Sequence, residues 1–254
     1  MHSFGQSERY LLLILCPLVV NPLVLLAGFK PFIENYRWRP ELGLRWFVID
    51  KQTGVVVREA VTEARFVFHH VNAFEDDGAL VADLITYPDT QVIDQLYLDR
   101  ARSDQPIIGV GRLERYVLPA DGGEVSRRTL SETKIELPNI HAGRCAGRNY
   151  RWVYGGGSET GDFIDAIVKI DTHSGHAGRW HRPGCYPGEP VFVPHPDASN
   201  EDEGALLSVV LDAHREISFL LILDAATLCE IARAEVSHHI PFGTHGSFYA
   251  DSMR

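Results

Sequence analysis

Twelve histidines are spread over this 254-residue chain, and one pair sits where the backbone is best able to hold it. That stretch is Phe68-His69-His70-Val71-Asn72-Ala73-Phe74-Glu75-Asp76-Asp77-Gly78. Arg65 to Val71 alternates as a strand, Glu75-Asp76-Asp77-Gly78 is a turn signal, and Ala79 to Thr86 reads as the return strand. A histidine fixed on a strand beside a tight turn is held more rigidly than one on a loop, and a neutral imidazole suits a transition metal. Taken alone, a doubled histidine in a hairpin is an ordinary surface or core feature, so the rest of the chain must decide its use.

Other groups of the same residue types carry less. His238-His239 suggests a metal pair, but neighbours on one strand point to opposite faces. His173, His176, His181, His195 and His214 lie in turns or beside prolines and glycines and receive no role. Asp76-Asp77 and Glu201-Asp202-Glu203 resemble paired catalytic carboxylates, yet both open glycine turns and read as solvated loop tips. Gly155-Gly156-Gly157 is followed by neither G-K-[ST] nor a helix signature, which argues against a phosphate loop. No G-x-S-x-G nucleophile motif is present.

The elements that must position these side chains are mostly strands. At this length the chain can bury the core of one large domain. Its 45% hydrophobic and 23% charged residues are those of a globular protein. The net charge of −10 with no basic cluster argues against nucleic acid as a partner. Only four of the 24 basic residues are lysine (Lys30, Lys51, Lys134 and Lys169). Cys16, Cys145, Cys185 and Cys229 show no C-x-x-C spacing, so neither a zinc site nor a disulfide framework is suggested, and a reducing cytoplasm fits. The polar start, Met1 to Arg9, does not fit a secretory signal.

Tyr10 to Phe29 approaches the length of a membrane span, but Pro17, Asn21 and Pro22 divide it. Tyr10 to Leu15 reads as a buried strand, and Pro22 to Phe29 as a short apolar turn or helix suited to lying on a membrane surface. Strands are expected over Leu44 to Ile49, Val55 to Arg58, Gly111 to Leu118, Arg148 to Tyr154, Phe163 to Ile170, Pro190 to Val193, Ala205 to Leu211, Ile217 to Leu223 and Leu228 to Val236. Asp89 to Arg102 is the one expected helix, with Val92, Leu96 and Leu98 loosely periodic. Three stretches share a strand-Asp-turn shape: residues 48–54, 169–175 and 221–227. Many short strands with a recurring hairpin favour a propeller, at roughly 40–45 residues per blade.

Three further stretches join the histidine hairpin: Met1-His2-Ser3-Phe4, Glu189-Pro190-Val191-Phe192-Val193-Pro194 and Pro241-Phe242-Gly243-Thr244-His245-Gly246. With Glu136-Leu137-Pro138-Asn139-Ile140, Tyr186-Pro187-Gly188-Glu189-Pro190, Glu201-Asp202-Glu203-Gly204, Leu223-Asp224-Ala225 and Ala232-Arg233-Ala234-Glu235, they resemble the carotenoid cleavage oxygenase family. That family includes retinal-forming carotene oxygenases and the retinoid isomerase of the eye, and the resemblance runs through essentially the whole chain. It implies an all-β, seven-bladed β-propeller with Fe(II) on its axis, held by four histidines. His2, His69 and His245 match three of these iron ligands. Asn72 sets the register that selects His69 and leaves His70 as a neighbour facing away.

Glu136 and Glu189 match carboxylates that hold the ligands' remaining N–H groups, a role that metal-bound imidazoles generally require. The ligand expected to precede His2 is missing with the family's first blades. Residues 1–254 are therefore expected to be a single truncated propeller domain, the C-terminal half or so of a member, with Met1 an internal methionine or a misplaced start. Thr244 stands where an aromatic residue is common, and Leu12 to Cys16 is more apolar than the matching strand.

The implied activity is cleavage of a conjugated double bond in a carotenoid or apocarotenoid by Fe(II) and O2, giving retinal-like carbonyl products. The alternatives are a propeller fragment without a working iron site and a retinoid isomerase. Leu23, Leu25, Leu26 and Phe29 resemble the family's membrane-facing patch, so the expected location is the cytoplasm with peripheral association to a membrane, the source of such substrates.

Overall fold

The computed structural model describes residues 2–103, 109, 111–161 and 163–250. In chain order the strands are β1 (Gly5–Gln6), β2 (Tyr10–Leu15), β3 (Leu18–Val20), β4 (Tyr36–Trp38), β5 (Leu44–Asp50), β6 (Val56–Thr62), β7 (Phe66–Asp76), β8 (Ala79–Tyr87), β9 (Gly111–Leu118), β10 (Ser126–Asn139), β11 (Trp152–Gly157), β12 (Ala166–Asp171), β13 (Ala177–His181), β14 (Cys185–Pro187), β15 (Val191–Pro194), β16 (Gly204–Asp212), β17 (Ile217–Asp224) and β18 (Glu230–Glu235). They form antiparallel sheets in near-sequential order. The first is β1, β2, β5, β6; a seven-stranded sheet runs β7 to β13; and in the last, β14 and β15 both pair with β16, followed by β17 and β18. β3 and β4 make a separate ribbon.

β10 divides the long sheet into two blades. Ser126 to Thr129 and Lys134 to Ile135 pair with β9, whereas Glu136 and Asn139 pair with β11 across an irregular register. The described residues thus form four blades of a partial propeller. Each blade begins with the strand that bears, or lies beside, a residue of chemical interest: β1, β7, the end of β10, and the β14–β15 pair.

Alternation along the strands builds the contacts between blades. In β5, Leu44, Trp46 and Val48 are buried while Arg45 is exposed. They pack with Leu12 and Ile14 against Ala73, Leu84 and Tyr116 of the second blade. Phe74, Ile85 and Leu113 meet Ile135, Val153 and Val168 between the second and third. Tyr154 and Ile167 meet Leu206, Phe219 and Leu221 between the third and fourth. A buried polar cluster stiffens this stack. Arg115 holds Asp83 through two bonds of 2.8 Å, and the Tyr150 hydroxyl donates to the same carboxylate at 2.6 Å.

The three related hairpins take one conformation. The backbone N–H of Gly54, Gly175 and Leu228 bonds at 2.8 Å to the carbonyl of Asp50, Asp171 and Asp224 respectively. Each aspartate also accepts from turn N–H groups, as Asp50 Oδ1 does from Gln52 and Thr53 at 3.0 Å. The closing residue is left-handed in all three, with φ of 71°, 76° and 60°. Glycine takes that region freely, while Leu228 is held there by a side chain buried in the last core.

Residues 89–102 and β10 are two of the places where the structure departs from the expectations. Residues 89–102 form two short helices, α2 (Gln91–Gln95) and α3 (Leu98–Ala101), broken at Tyr97, which is extended. Only Val92 is buried, and Leu96 and Leu98 are exposed, so no continuous apolar face anchors a longer helix. The second is β10, for which the sequence predicts no strand. Its polar residues leave its first half largely exposed as an outer strand.

Candidate functional site

The hairpin of β7 and β8 is not regular at the histidines. Val67 pairs with Thr86 and His70 with Leu84, so Phe68 and His69 together oppose one residue; a second shift follows between His70 and Asn72. Bulges of this kind re-aim side chains. Beyond them, Asn72 fixes the strand by donating at 2.9 Å to the carbonyls of Cys145 and Arg148 and accepting from Gly147 N–H at 3.1 Å. His69 points into a cluster that His2 enters from the segment before β1 and His245 from the tail after β18.

The three Nε2 atoms form a nearly equilateral triangle: His2 to His69 is 3.2 Å, His69 to His245 is 3.3 Å, and His245 to His2 is 3.4 Å. Imidazole–metal bonds of about 2.1 Å put adjacent nitrogens about 3.0–3.4 Å apart, so these residues fit a shared transition metal such as iron. Among the described residues this is the only group of three His, Cys, Asp or Glu side chains with such convergence.

Carboxylates occupy the far side of two rings. Glu136 Oε2 lies 2.5 Å from His69 Nδ1, and Glu189 Oε1 lies 3.4 Å from His245 Nδ1. A carboxylate accepts, so Nδ1 carries the hydrogen and the Nε2 lone pair faces the centre. Glu136 is itself held by the Tyr87 hydroxyl at 2.8 Å and the Leu137 N–H at 2.6 Å. Burial and then Glu136 raise the Tyr87 pKa, which keeps that hydroxyl a donor. Glu189 Oε2 accepts from Gly246 N–H at 2.7 Å and so ties the tail beside its ligand histidine. Partial burial, then the neighbouring His69 and His245, depress the His2 pKa and favour its neutral, ligating form.

Leu137 has φ of 50°, uncommon for a branched side chain, and its N–H is the one Glu136 accepts. Backbone strain is therefore located at the carboxylate that orients His69. Tyr87 and the Leu137 amide carried no sequence signal, because their roles depend on a partner on another strand. His238 and His239 lie in coil after β18 and are exposed. His70 turns from the triangle, and burial followed by the nearby His69 pushes its pKa down to about 4.

A cavity of about 570 Å³ opens beside His2, lined by Phe68, Cys16, Leu18, Phe32 and Ile33 among others. Its size and apolar walls are those of a small-molecule site. Phe32 is also exposed at the edge of a surface formed by α1 (Pro22–Ala27) and Phe29. α1 is capped as its sequence suggests: Asn21 accepts from Leu23 N–H at 3.0 Å, Pro22 occupies the first turn, and Gly28 ends it left-handed. Leu23, Leu26 and Phe29 are 75%, 84% and 89% exposed, whereas Leu25 is half-buried. Exposed apolar clusters of this kind commonly mark an interaction surface. Among the described residues no helix is long and apolar enough to cross a membrane.

The sequence model of the retinal pigment epithelial membrane protein family matches residues 1–250. Carotenoid isomerooxygenase of Galleria mellonella is 34% identical, with 98% of this chain aligned to 52% of that protein. Beta,beta-carotene 15,15'-dioxygenase of Homo sapiens is 30% identical, again over 98% of this chain and 52% of that protein. A crystal structure of cobalt-substituted apocarotenoid oxygenase from Synechocystis superposes with a TM-score of 0.87 at 30% identity, covering 96% of this chain and 52% of that one. The chain spans about half the length of the relatives it matches.

Proposed function

The chain belongs to the retinal pigment epithelial membrane protein family, that of the carotenoid cleavage oxygenases, and on that premise we propose that it provides three iron ligands of a dioxygenase that cleaves a conjugated double bond of a carotenoid or apocarotenoid. The observation that carries this reading is the Nε2 triangle of His2, His69 and His245, with Glu136 and Glu189 behind two of its rings. Fe(II) bound there would supply O2 activation, and the expected products are two carbonyl compounds.

The chain's own residues bind, orient and exclude. Glu136 fixes the tautomer and plane of His69 and strengthens it as a donor; Glu189 does the same for His245 while anchoring the tail through Gly246. Phe68 stands edge-on to the His2 ring, with centroids 6.1 Å apart, and forms part of the wall of the apolar cavity. That cavity would take the polyene and keep water from the reacting bond. Its lining reaches Phe32 beside Leu23, Leu26 and Phe29, which favours delivery of a water-insoluble substrate from a membrane surface on which the protein rests peripherally.

The test is to load the protein anaerobically with Fe(II), add β-carotene or an apocarotenal in detergent, admit air, and follow bleaching and carbonyl products. Bleaching with two shorter carbonyl products supports cleavage. A geometric isomer without chain scission would assign isomerisation instead, and iron-free protein that leaves the polyene intact would assign a fragment without a working site.

A further inference from the structure

Of the three converging histidines, His2 has the weakest framework. It precedes the two-residue β1, it is exposed, and among the described residues no carboxylate holds its ring as Glu136 holds His69. What ties its segment to β7 is the side chain of the next residue. Ser3 Oγ donates to the carbonyl of Phe68 at 2.8 Å and accepts from the backbone N–H of His70 at 3.0 Å, and it lies 2.8 Å from His70 Nδ1. A hydroxyl has one hydrogen and two lone pairs. With its hydrogen given to Phe68, the third contact requires Nδ1–H of His70 as donor, and the hydroxyl's capacity is then filled.

Both backbone groups that Ser3 engages belong to the bulged part of β7, on either side of His69. The same distortion that re-aims His69 thus presents the C=O and N–H that Ser3 grips. The His70 ring is fixed from its other side. A Cβ at the buried Gly5 would stand 3.3 Å from His70 Cδ2 and 3.2 Å from Ala73 Cβ, so glycine there gives the ring its space.

We propose that Ser3 and His70 are a positioning pair: the Ser3 hydroxyl, filled by Phe68 and His70, sets the His2 imidazole against that of His69 and so determines the affinity of the metal site. This rests on the iron reading above. His70 contributes by holding Ser3 and does not enter the triangle. The doubled histidine of the sequence therefore divides its work, one ring as ligand and the next as a support for a different ligand.

The test uses the full chain and two readouts, one with metal and one without. Cobalt(II) is titrated anaerobically and followed by its visible absorption, which reports coordination number and geometry. Ser3→Ala and His70→Ala should lower cobalt affinity on the order of 10–100-fold, the usual effect of losing a partner that orients a ligand, and should alter the absorption envelope. His70→Asn, whose amide can replace the Nδ1–H donor, should recover most of the affinity. In the metal-free protein, amide exchange over residues 2–5 and at the His70 N–H, which loses its acceptor, should rise about tenfold in Ser3→Ala, roughly the effect of losing a hydrogen bond or two, with exchange elsewhere unchanged.

Ser7→Ala serves as the structural control. Ser7 Oγ donates to Glu75 at 2.6 Å and ties the same segment to β7 away from the triangle. It should lower thermal stability without moving the cobalt spectrum. If Ser3→Ala behaves like Ser7→Ala, with normal cobalt binding, the proposal is overturned. Cobalt binding that survives His69→Ala would instead overturn the metal reading itself. If the wild-type chain takes no cobalt, the metal reading and the proposal that rests on it are both overturned, and the exchange result then shows only a structural clamp.

Discussion

Replacing Glu136 by glutamine and by alanine separates what this carboxylate does for the site from what it does for the fold. Glu136 is 5% exposed and receives three donors: His69 Nδ1 at 2.5 Å, Leu137 N–H at 2.6 Å and the Tyr87 hydroxyl at 2.8 Å. Glutamine can keep its oxygen toward His69 and Leu137 and present its NH2 to Tyr87. The Tyr87 hydroxyl then accepts, and its own hydrogen still has the Gly109 carbonyl at 3.1 Å. Glu136→Gln should therefore stay within about 1 kcal/mol of the wild type in urea unfolding, the size of one net hydrogen bond.

It should nevertheless bind metal on the order of 10–100-fold more weakly, because a neutral amide makes His69 a poorer donor. Alanine lets the Tyr87 hydroxyl turn to the Gly109 carbonyl but leaves two donors, the Leu137 N–H and the His69 Nδ1–H, without this partner in a largely buried place. At about 1–3 kcal/mol for each unsatisfied group, Glu136→Ala should lose roughly 2–6 kcal/mol and metal affinity as well. Urea titration and cobalt titration on the same three proteins give both numbers. Unchanged metal affinity in Glu136→Gln, or a loss of stability equal to that of Glu136→Ala, would refute the reasoning.

Asp83→Ala should destabilise the chain by about 3–5 kcal/mol, because it strands the buried Arg115 guanidinium; thermal or urea unfolding checks this. The Arg151 guanidinium, followed by the N–H groups of His173 and Ser174, holds the Asp171 pKa below its ordinary value. A depressed carboxylate contributes stability that is complete above pH of about 4 and is lost as acid drives the pH down toward the folded-state pKa. Asp171→Asn should therefore flatten the acid limb of a stability–pH curve, and an unchanged limb would remove this pair from the account. Changing Leu23, Leu26 and Phe29 together to serine should reduce binding to lipid vesicles at least about a hundredfold, since burying each such side chain contributes about 1.5–3 kcal/mol. Vesicle co-sedimentation reads the loss, and Leu25→Ser should have a smaller effect on binding because that side chain is already half-buried.

The parts of the fold legible in the sequence are those where one strand alternates on its own. Leu44 to Ile49 and Ile217 to Leu223 show their more and less buried faces directly, and Asn21-Pro22 with Gly28 marks both ends of α1. β10 was not legible, because its first half is an exposed outer strand rich in Ser, Arg and Thr. The three histidines and two glutamates were found through motif order rather than geometry. Nothing local states that His2 and His245 meet across 243 positions of sequence. The bulges around His69, the donors that hold Glu136 and the grip of Ser3 were hidden for the same reason. Each is a relation between strands that pattern reading along one strand cannot contain.

X-ray absorption at the iron edge of the Fe(II)-loaded protein tests the central claim most directly. The account predicts the multiple-scattering signature of three imidazoles, falling to two in His2→Ala and in His245→Ala. An iron shell without imidazole, or one that these substitutions leave unchanged, would contradict it.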